Sequence, residues 1–189
     1  VIREKDGTYR AESPDELALV LGATKNNCSV LERGTTTMRC SIFGEEQTFQ
    51  VLAVNAFNSE RKRMSVILRD SNGEYIVMCK GADNIMLPLC TLGDDEKANA
   101  DSCLIDLSVQ GLRTLVIAQK KLDSTTAEKW LAEYNAAASS MSERSTKLER
   151  VAAELEVNME LLGITAIEDK LQDEVPEVIA DLAKAGIVV

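Results

Sequence analysis

The sequence of 189 residues contains no histidine, and this absence excludes several kinds of catalytic site together. Zinc centres with imidazole ligands and hydrolase triads with a histidine base both need that side chain. Aromatic residues make up only 4% of the chain. No run approaches the ~20 apolar residues that a membrane-spanning helix requires. We therefore predict neither catalytic nor metal-ligating residues within the chain.

Cysteine is present but unclustered, with five residues at positions 28, 40, 79, 90 and 103 and no C-x-x-C pair. An odd number without clustering argues against a disulfide framework or a zinc knuckle, so we expect reduced thiols in a cytosolic setting. The first residues, Val1–Gly7, lack an initiating Met and do not resemble a signal peptide. The last, Ala185–Val189, end on an apolar run. Both ends suggest a piece of a longer polypeptide.

The charge is unbalanced, because 31 acidic against 21 basic side chains give a net charge of −10. A surface that holds duplex nucleic acid or an anionic membrane normally carries the opposite sign. We therefore expect no nucleic acid partner. A nucleotide ligand is compatible with this charge, since it needs only a local basic pocket.

The pattern of apolar and turn residues predicts an α+β fold, with an antiparallel β-sheet flanked by helices. Ser13 precedes Pro14 and stands three residues before Glu16, which is typical of a helix start, and the helix continues to about Lys25. Ser71–Gly73 is a hairpin signal. Further strands are predicted at Cys28–Glu32, Thr36–Ile42, Thr48–Phe57, Met64–Leu68, Tyr75–Cys79 and Arg113–Gln119, and helices after Gly81, over Lys97–Val109 and twice within Thr125–Val157.

The last thirty residues have a different pattern, in which an apolar strand at Glu160–Ile167 precedes an amphipathic helix at Asp173–Ala185. Gly186 is a candidate C-cap before a second apolar run. A strand, a helix and a strand in succession are the opening of a parallel βαβ unit. We therefore predict a first domain at residues 1–158 and the truncated start of an α/β domain at residues 159–189.

Three segments carry side chains suited to a nucleotide. Phe57 stands near three consecutive basic residues, Arg61–Arg63, and the two features offer a stacking face and a positive rim to a purine with phosphates. Lys80 and Gly81 follow a strand, where a cation and close backbone approach would meet a ligand. Arg113 stands at the mouth of another strand.

Each of these segments also has a purely structural explanation. A basic run protects a sheet edge, a glycine makes an ordinary strand-to-helix turn, and a lone arginine is most often a surface residue. Neither G-x-x-x-x-G-K-[ST] nor G-x-G-x-x-G occurs in the chain. The commonest nucleotide-binding folds are therefore excluded.

Taken in order, five motifs resemble the nucleotide-binding domain of P-type ATPases, in the variant of the type IV phospholipid flippases. The motifs are Ser13–Glu16, Phe57–Ser65, Lys80–Asp83, Gly111–Leu115 and Ile167–Gln172. Cation pumps of this family tend to carry Asp-Pro-Pro-Arg where this chain has Glu168–Gln172. They also tend to carry Ala-Pro-Glu after the Lys-Gly pair, where this chain has Ala82 and Asp83.

The resemblance implies that ATP binds to Glu16, Phe57, Ser59, Lys62, Lys80, Gly81 and Arg113. Phe57 would stack on adenine, and Glu16 would face the adenine edge. Lys80 would lie deep in the pocket, beside the base and the start of the phosphate chain. Arg113 would meet the phosphates, and the remaining side chains would add a polar contact and positive charge.

The resemblance also implies what lies outside the chain. The family's phosphorylated aspartate belongs to an Asp-Lys-Thr-Gly-Thr motif, which is absent here. The chain would be a soluble cytosolic part of an integral membrane protein and would bind ATP without turnover. In the whole enzyme its partners would be Mg²⁺, the phosphorylation and actuator domains of the same polypeptide, a phospholipid substrate and a transmembrane accessory subunit. Two alternatives stay open, a cation pump of another P-type subfamily and an acidic protein-interaction module without enzymatic activity.

Overall fold

The computed structural model describes residues 1–4, 6–168 and 173–188, and strands in these ranges form two antiparallel sheets. The smaller is a ribbon of β1 (Ile2–Arg3) and β2 (Tyr9–Arg10). In the larger sheet each strand pairs with the one before it in the chain. Its strands are β3 (Cys28–Arg33), β4 (Thr37–Ile42), β5 (Glu45–Asn55), β6 (Arg63–Arg69), β7 (Tyr75–Gly81), β8 (Arg113–Leu122) and β9 (Glu160–Ile167). The predicted α+β class with an antiparallel sheet is confirmed.

Helices flank this sheet, as predicted. Within the described ranges they are α1 (Pro14–Lys25), α2 (Asp83–Met86), α3 (Asp94–Val109), α4 (Ser124–Ala138), α5 (Arg144–Leu155) and α6 (Val175–Lys184). Ser13 caps α1, because its Oγ accepts a hydrogen bond from the amide of Glu16 at 3.1 Å. None of these described helices is both long and apolar enough to cross a membrane.

A tight turn joins β6 to β7 and sets their register. Gly73 adopts a φ of 85°, and the Asp70 carboxylate accepts hydrogen bonds from the amides of Asn72 and Glu74 at 2.9 and 2.8 Å. This is the hairpin predicted from Ser-Asn-Gly. The register that follows places Met64 of β6 directly opposite Lys80 of β7.

The core lies between one face of the large sheet and the helices α4 and α5. Val77 and Cys79 of β7 point to this face, whereas Lys80 between Cys79 and Gly81 points to the other. Trp130 of α4 donates a hydrogen bond from Nε1 to the carbonyl of Val151 in α5 at 2.7 Å, which holds the two helices together. The helix α1 packs on the opposite face, where Lys80 reaches it.

The strand β9 has a pairing that the sequence did not predict. It is antiparallel to β8, with Thr165 opposite Leu115, and it forms the last strand of the same sheet. The antiparallel sheet therefore extends past residue 158, to Ile167. The predicted domains at residues 1–158 and 159–189, and the parallel unit predicted to open at this strand, stay predictions.

Candidate functional site

A cavity of about 200 Å³ opens on the sheet face opposite the core. Met64, Lys80 and Ile117 lie side by side on β6, β7 and β8 and form one row of its wall. Val66 and Met78 are paired in the next row. The wall is thus mostly apolar, with the ammonium group of Lys80 at one side. Such a surface suits a flat apolar group that carries an acceptor or an anionic substituent.

Lys80 is held at this cavity by the first turn of α1. Its Nζ lies 3.5 Å from Oε1 of Glu16, and the two side chains are 29% and 31% exposed. An ammonium group has three donors, so this long contact leaves Lys80 with donors for a ligand. The capped start of α1 fixes Glu16 in place. Glu16 and Lys80, which were predicted to share a pocket, are therefore neighbours.

Arg113 is also engaged by α1. It begins β8, and its Nη1 donates hydrogen bonds to both carboxylate oxygens of Asp15, at 2.9 and 2.8 Å. The Arg113 side chain is 51% exposed. A carboxylate and a phosphate offer a guanidinium group similar acceptors, so the Asp15 carboxylate occupies acceptor positions that a phosphate would use. The sequence interpretation assigned a role to Glu16 and overlooked the adjacent Asp15.

Gly81 meets a steric requirement of the fold that the sequence did not indicate. A Cβ atom at this position would lie 2.6 Å from the Cβ of Arg63 and 2.7 Å from the carbonyl oxygen of Lys62. That same carbonyl accepts a hydrogen bond from the amide of Ala82 at 3.0 Å. The glycine therefore lets the end of β7 pack against the segment before β6. The predicted contact of Gly81 with ATP stays a prediction.

The basic run Arg61–Arg63 does not form the predicted positive rim. Arg61 and Arg63 turn inward and both bind the carboxylate of Glu156; Arg63 Nε lies 2.6 Å from Oε2 of that carboxylate. Their side chains are only 9% and 14% exposed. Lys62 between them is exposed and adopts a φ of 50°. The alternative of a solvated sheet edge is also wrong, because Arg63 begins β6 in the middle of the sheet.

Phe57 and Ser59 lie in the segment between β5 and β6 and are both exposed. Phe57 is 61% exposed, an amount of apolar surface that is available for stacking. It lines a second cavity of about 330 Å³ beside α5, to which Tyr134 and Leu148 also contribute, and is not among the residues that line the Lys80 cavity. The structure thus brings Glu16 and Lys80 together but leaves Phe57 outside the wall of the Lys80 cavity. Their roles in binding stay predictions.

Glu156 is the main residue that sequence reasoning missed. It is fully buried and also accepts a hydrogen bond from Ser65 Oγ at 2.6 Å. A signal was present, because Glu156 directly follows the apolar stripe of Val151, Ala152 and Leu155 on α5. An acidic residue that continues a buried stripe must be paired. Burial, and secondarily the Glu156 charge, raises the pKa of the nearby Cys79 thiol to about 12.

Comparison with known proteins decides the family. Residues 2–174 match the family model described as P-type ATPase, cytoplasmic domain N. This chain belongs to the P-type ATPase family. The N domain is 41% identical over 181 residues to a phospholipid-transporting ATPase of Chaetomium thermophilum, and that alignment covers 95% of the chain and 12% of the relative. It is 41% identical over 179 residues to phospholipid-transporting ATPase IC of Mus musculus, covering 95% of the chain and 14% of the relative.

A further relative, a phospholipid-transporting ATPase of Schizosaccharomyces pombe, is 41% identical over 189 residues, covering 98% of the chain. The N domain spans only 12–14% of the length of these relatives. The matched range contains each residue predicted to bind ATP. Of the last motif, Asp169–Gln172 lie outside the described residues. Membership of the family excludes the alternative of an unrelated acidic interaction module.

Proposed function

We propose that this N domain binds ATP and presents it to the aspartate of a phosphorylation domain, and that the whole enzyme translocates a phospholipid. The observation that supports ATP binding best is the apolar cavity beside Lys80, with Arg113 held by the same helix that holds Lys80. The base would lie against the methionine wall, and the phosphates would extend towards the cations. The printed names of the relatives favour a phospholipid over a cation as cargo.

In this proposal the chain's own residues bind and orient the nucleotide. Lys80 donates to the base or to the first phosphate, while Glu16 keeps the Lys80 ammonium group at the cavity. Arg113 exchanges the Asp15 carboxylate for phosphate oxygens. Phe57 lies outside the wall of this cavity and would add a stacking face from the exposed segment before β6, where Ser59 and Lys62 would add a polar group and a positive charge.

Phosphoryl transfer itself requires residues outside this chain. The Asp-Lys-Thr-Gly-Thr motif is absent from the sequence. In the described part of the chain, no three cysteine or acidic side chains form a group able to hold a metal ion. Without the aspartate of that motif to accept the phosphoryl group, the chain should bind ATP without turnover. The phosphorylation and actuator domains, the lipid and an accessory subunit are the proposed partners in the whole enzyme.

Calorimetric titration of this chain with ATP tests the proposal. We expect saturable binding with a dissociation constant of about 0.1–1 mM, or about −4 to −5.5 kcal/mol, because part of the phosphate site lies in another domain. Lys80→Gln is expected to weaken binding at least about tenfold. Lys120→Gln is the matched control, since Lys120 lies on β8 with its Nζ bonded to the carbonyl of Val157. Equal affinity of both variants for ATP would contradict the proposed site.

A further inference from the structure

The segment between β5 and β6, residues 56–62, has no ladder hydrogen bonds to hold it, yet several contacts fix its backbone. Asn58 accepts a hydrogen bond from the amide of Arg61 at 2.6 Å and donates one to Glu149 of α5 at 2.7 Å. The amide of Lys62 bonds to the carbonyl of Asn58 at 2.9 Å. The strongest contacts come from Glu156, the residue that follows α5.

Glu156 is the centre of a charged network under this segment. Its two oxygens accept hydrogen bonds from Arg61, Arg63 and Ser65, and Asn55 donates to Ser65 at 2.9 Å. The carboxylate is fully buried. A buried carboxylate needs such partners, and breaking the pair from either side leaves an uncompensated charge. Two arginines on one carboxylate also constrain geometry, since each guanidinium group is planar and directional.

The network bears on the Lys80 cavity because Lys62 lies between Arg61 and Arg63 in the chain. Lys62 has a left-handed backbone with a φ of 50°, a conformation that costs energy for a residue with a Cβ. Its carbonyl is bonded to Ala82 beside Gly81, and the next residue but one, Met64, lines the Lys80 cavity. The contacts of Arg61 and Arg63 with Glu156 therefore also fix the backbone of Lys62, at the edge of that cavity.

We propose that Glu156 is a positioning residue for nucleotide binding: through Arg61 and Arg63 it holds the exposed Lys62 at the edge of the Lys80 cavity. The role rests on the proposed ATP site. In this proposal Arg61 and Arg63 serve to place Lys62, which lies between them in the chain. It also explains why the residue that follows α5, Glu156, is acidic although it is fully buried.

The test compares Glu156→Gln with Leu155→Ala in this chain. Leu155 is a buried core residue beside Glu156, so its truncation lowers stability without touching the network. Two quantities are measured for each variant: the dissociation constant for ATP under conditions where the protein is folded, and amide hydrogen exchange at Lys62 and Ala82 relative to the core amide of Val77. For Glu156→Gln we expect ATP affinity to fall about five- to tenfold and exchange at Lys62 and Ala82 to rise about tenfold relative to Val77. For Leu155→Ala the ATP affinity stays near wild type, and exchange at Lys62 and Ala82 does not rise relative to Val77.

If Glu156→Gln does not fold, Arg63→Lys tests the same link, because lysine keeps the charge and cannot reproduce the planar Nε contact. Arg63→Lys is expected to weaken ATP binding about threefold, a smaller loss than that of Glu156→Gln. A wild-type chain that binds no ATP contradicts the proposed function, and this role falls with it. A wild-type chain that binds ATP normally, with Glu156→Gln indistinguishable from Leu155→Ala in affinity and in local exchange, overturns the positioning role alone.

Discussion

Asp15 binds Nη1 of Arg113 through both oxygens of its carboxylate, and in doing so it holds the guanidinium group that we propose for the phosphates. The pair is partly exposed, with the Asp15 side chain at 31% and the Arg113 side chain at 51%. An exposed ion pair of this kind contributes little to stability. In the proposed ATP site, the Asp15 carboxylate competes with a phosphate for Nη1 of Arg113.

Replacing Asp15 with asparagine should therefore tighten ATP binding. Removing one negative charge beside the phosphate site should lower the dissociation constant by about two- to fivefold. Glu74→Gln is the control, because Glu74 forms a pair of similar length with Lys121, at 2.9 Å, away from the site. Calorimetry on the two variants gives the comparison. Weaker binding by Asp15→Asn would mean that Asp15 orients Arg113 for the ligand instead of competing with it.

Phe57→Ala should weaken ATP and ADP by the same factor, because stacking on the base does not depend on the number of phosphates. A loss of about tenfold, or about 1.4 kcal/mol, is expected from one base on an aromatic ring. Phe43→Ala is the matched control, since Phe43 is also an exposed phenylalanine, at 76%, but lies at the opposite end of β5 from Phe57. Unchanged affinity of Phe57→Ala for both nucleotides would show that its ring does not contact the base.

Gly81→Ala should destabilise the fold by about 1–3 kcal/mol, as expected for overpacking. The added methyl group has no space, because it would meet the backbone of Lys62 and the side chain of Arg63. Gly22→Ala provides the comparison, since Gly22 lies inside α1 and nothing lies within 4 Å of an added Cβ. Alanine favours a helix, so this variant should be neutral or up to about 1 kcal/mol more stable. Urea unfolding of both variants measures the difference, and equal stabilities would contradict the steric account.

Cys79 should resist thiol reagents while Cys103 reacts. Burial raises the pKa of Cys79 to about 12, so the reactive thiolate is nearly absent at pH 8. Cys103 lies on α3 and is exposed. A thiol-specific disulfide reagent at pH 8 followed by peptide mapping should label Cys103 rapidly and Cys79 only after unfolding. Labelling of Cys79 in the folded chain at a rate near that of Cys103 would show that the core opens.

The sequence predicts the local elements well because their signals are local. The start of α1 follows from Ser13 and Pro14, and the β6–β7 turn follows from a glycine that needs a positive φ. The seven strands of the large sheet differ from the predicted bounds by no more than three residues, whereas the ribbon of β1 and β2 was not predicted. Lys80 and Glu16 were also predicted to share a pocket, on the resemblance, and the fold places them together.

Long-range pairing is what the sequence could not reveal. Arg61 and Glu156 are 95 residues apart, and no local pattern shows that their side chains meet. A run of three basic residues therefore predicted a positive rim, whereas two of the three turn inward and are only 9% and 14% exposed. The pairing of β9 with β8 could not be predicted for the same reason, since an apolar strand fits the edge of an antiparallel sheet as well as the start of a parallel one.

The central claim is that ATP binds in the Lys80 cavity, and methionine methyl NMR tests it most directly. Met64 and Met78 line that cavity, whereas Met86 and Met159 are fully buried in the core on the other face. On titration with ATP, the methyl signals of Met64 and Met78 should shift together and saturate with a dissociation constant of about 0.1–1 mM. The signals of Met86 and Met159 should stay in place. If Met64 and Met78 do not shift at about 10 mM ATP, at which such a site would be saturated, the claim is contradicted.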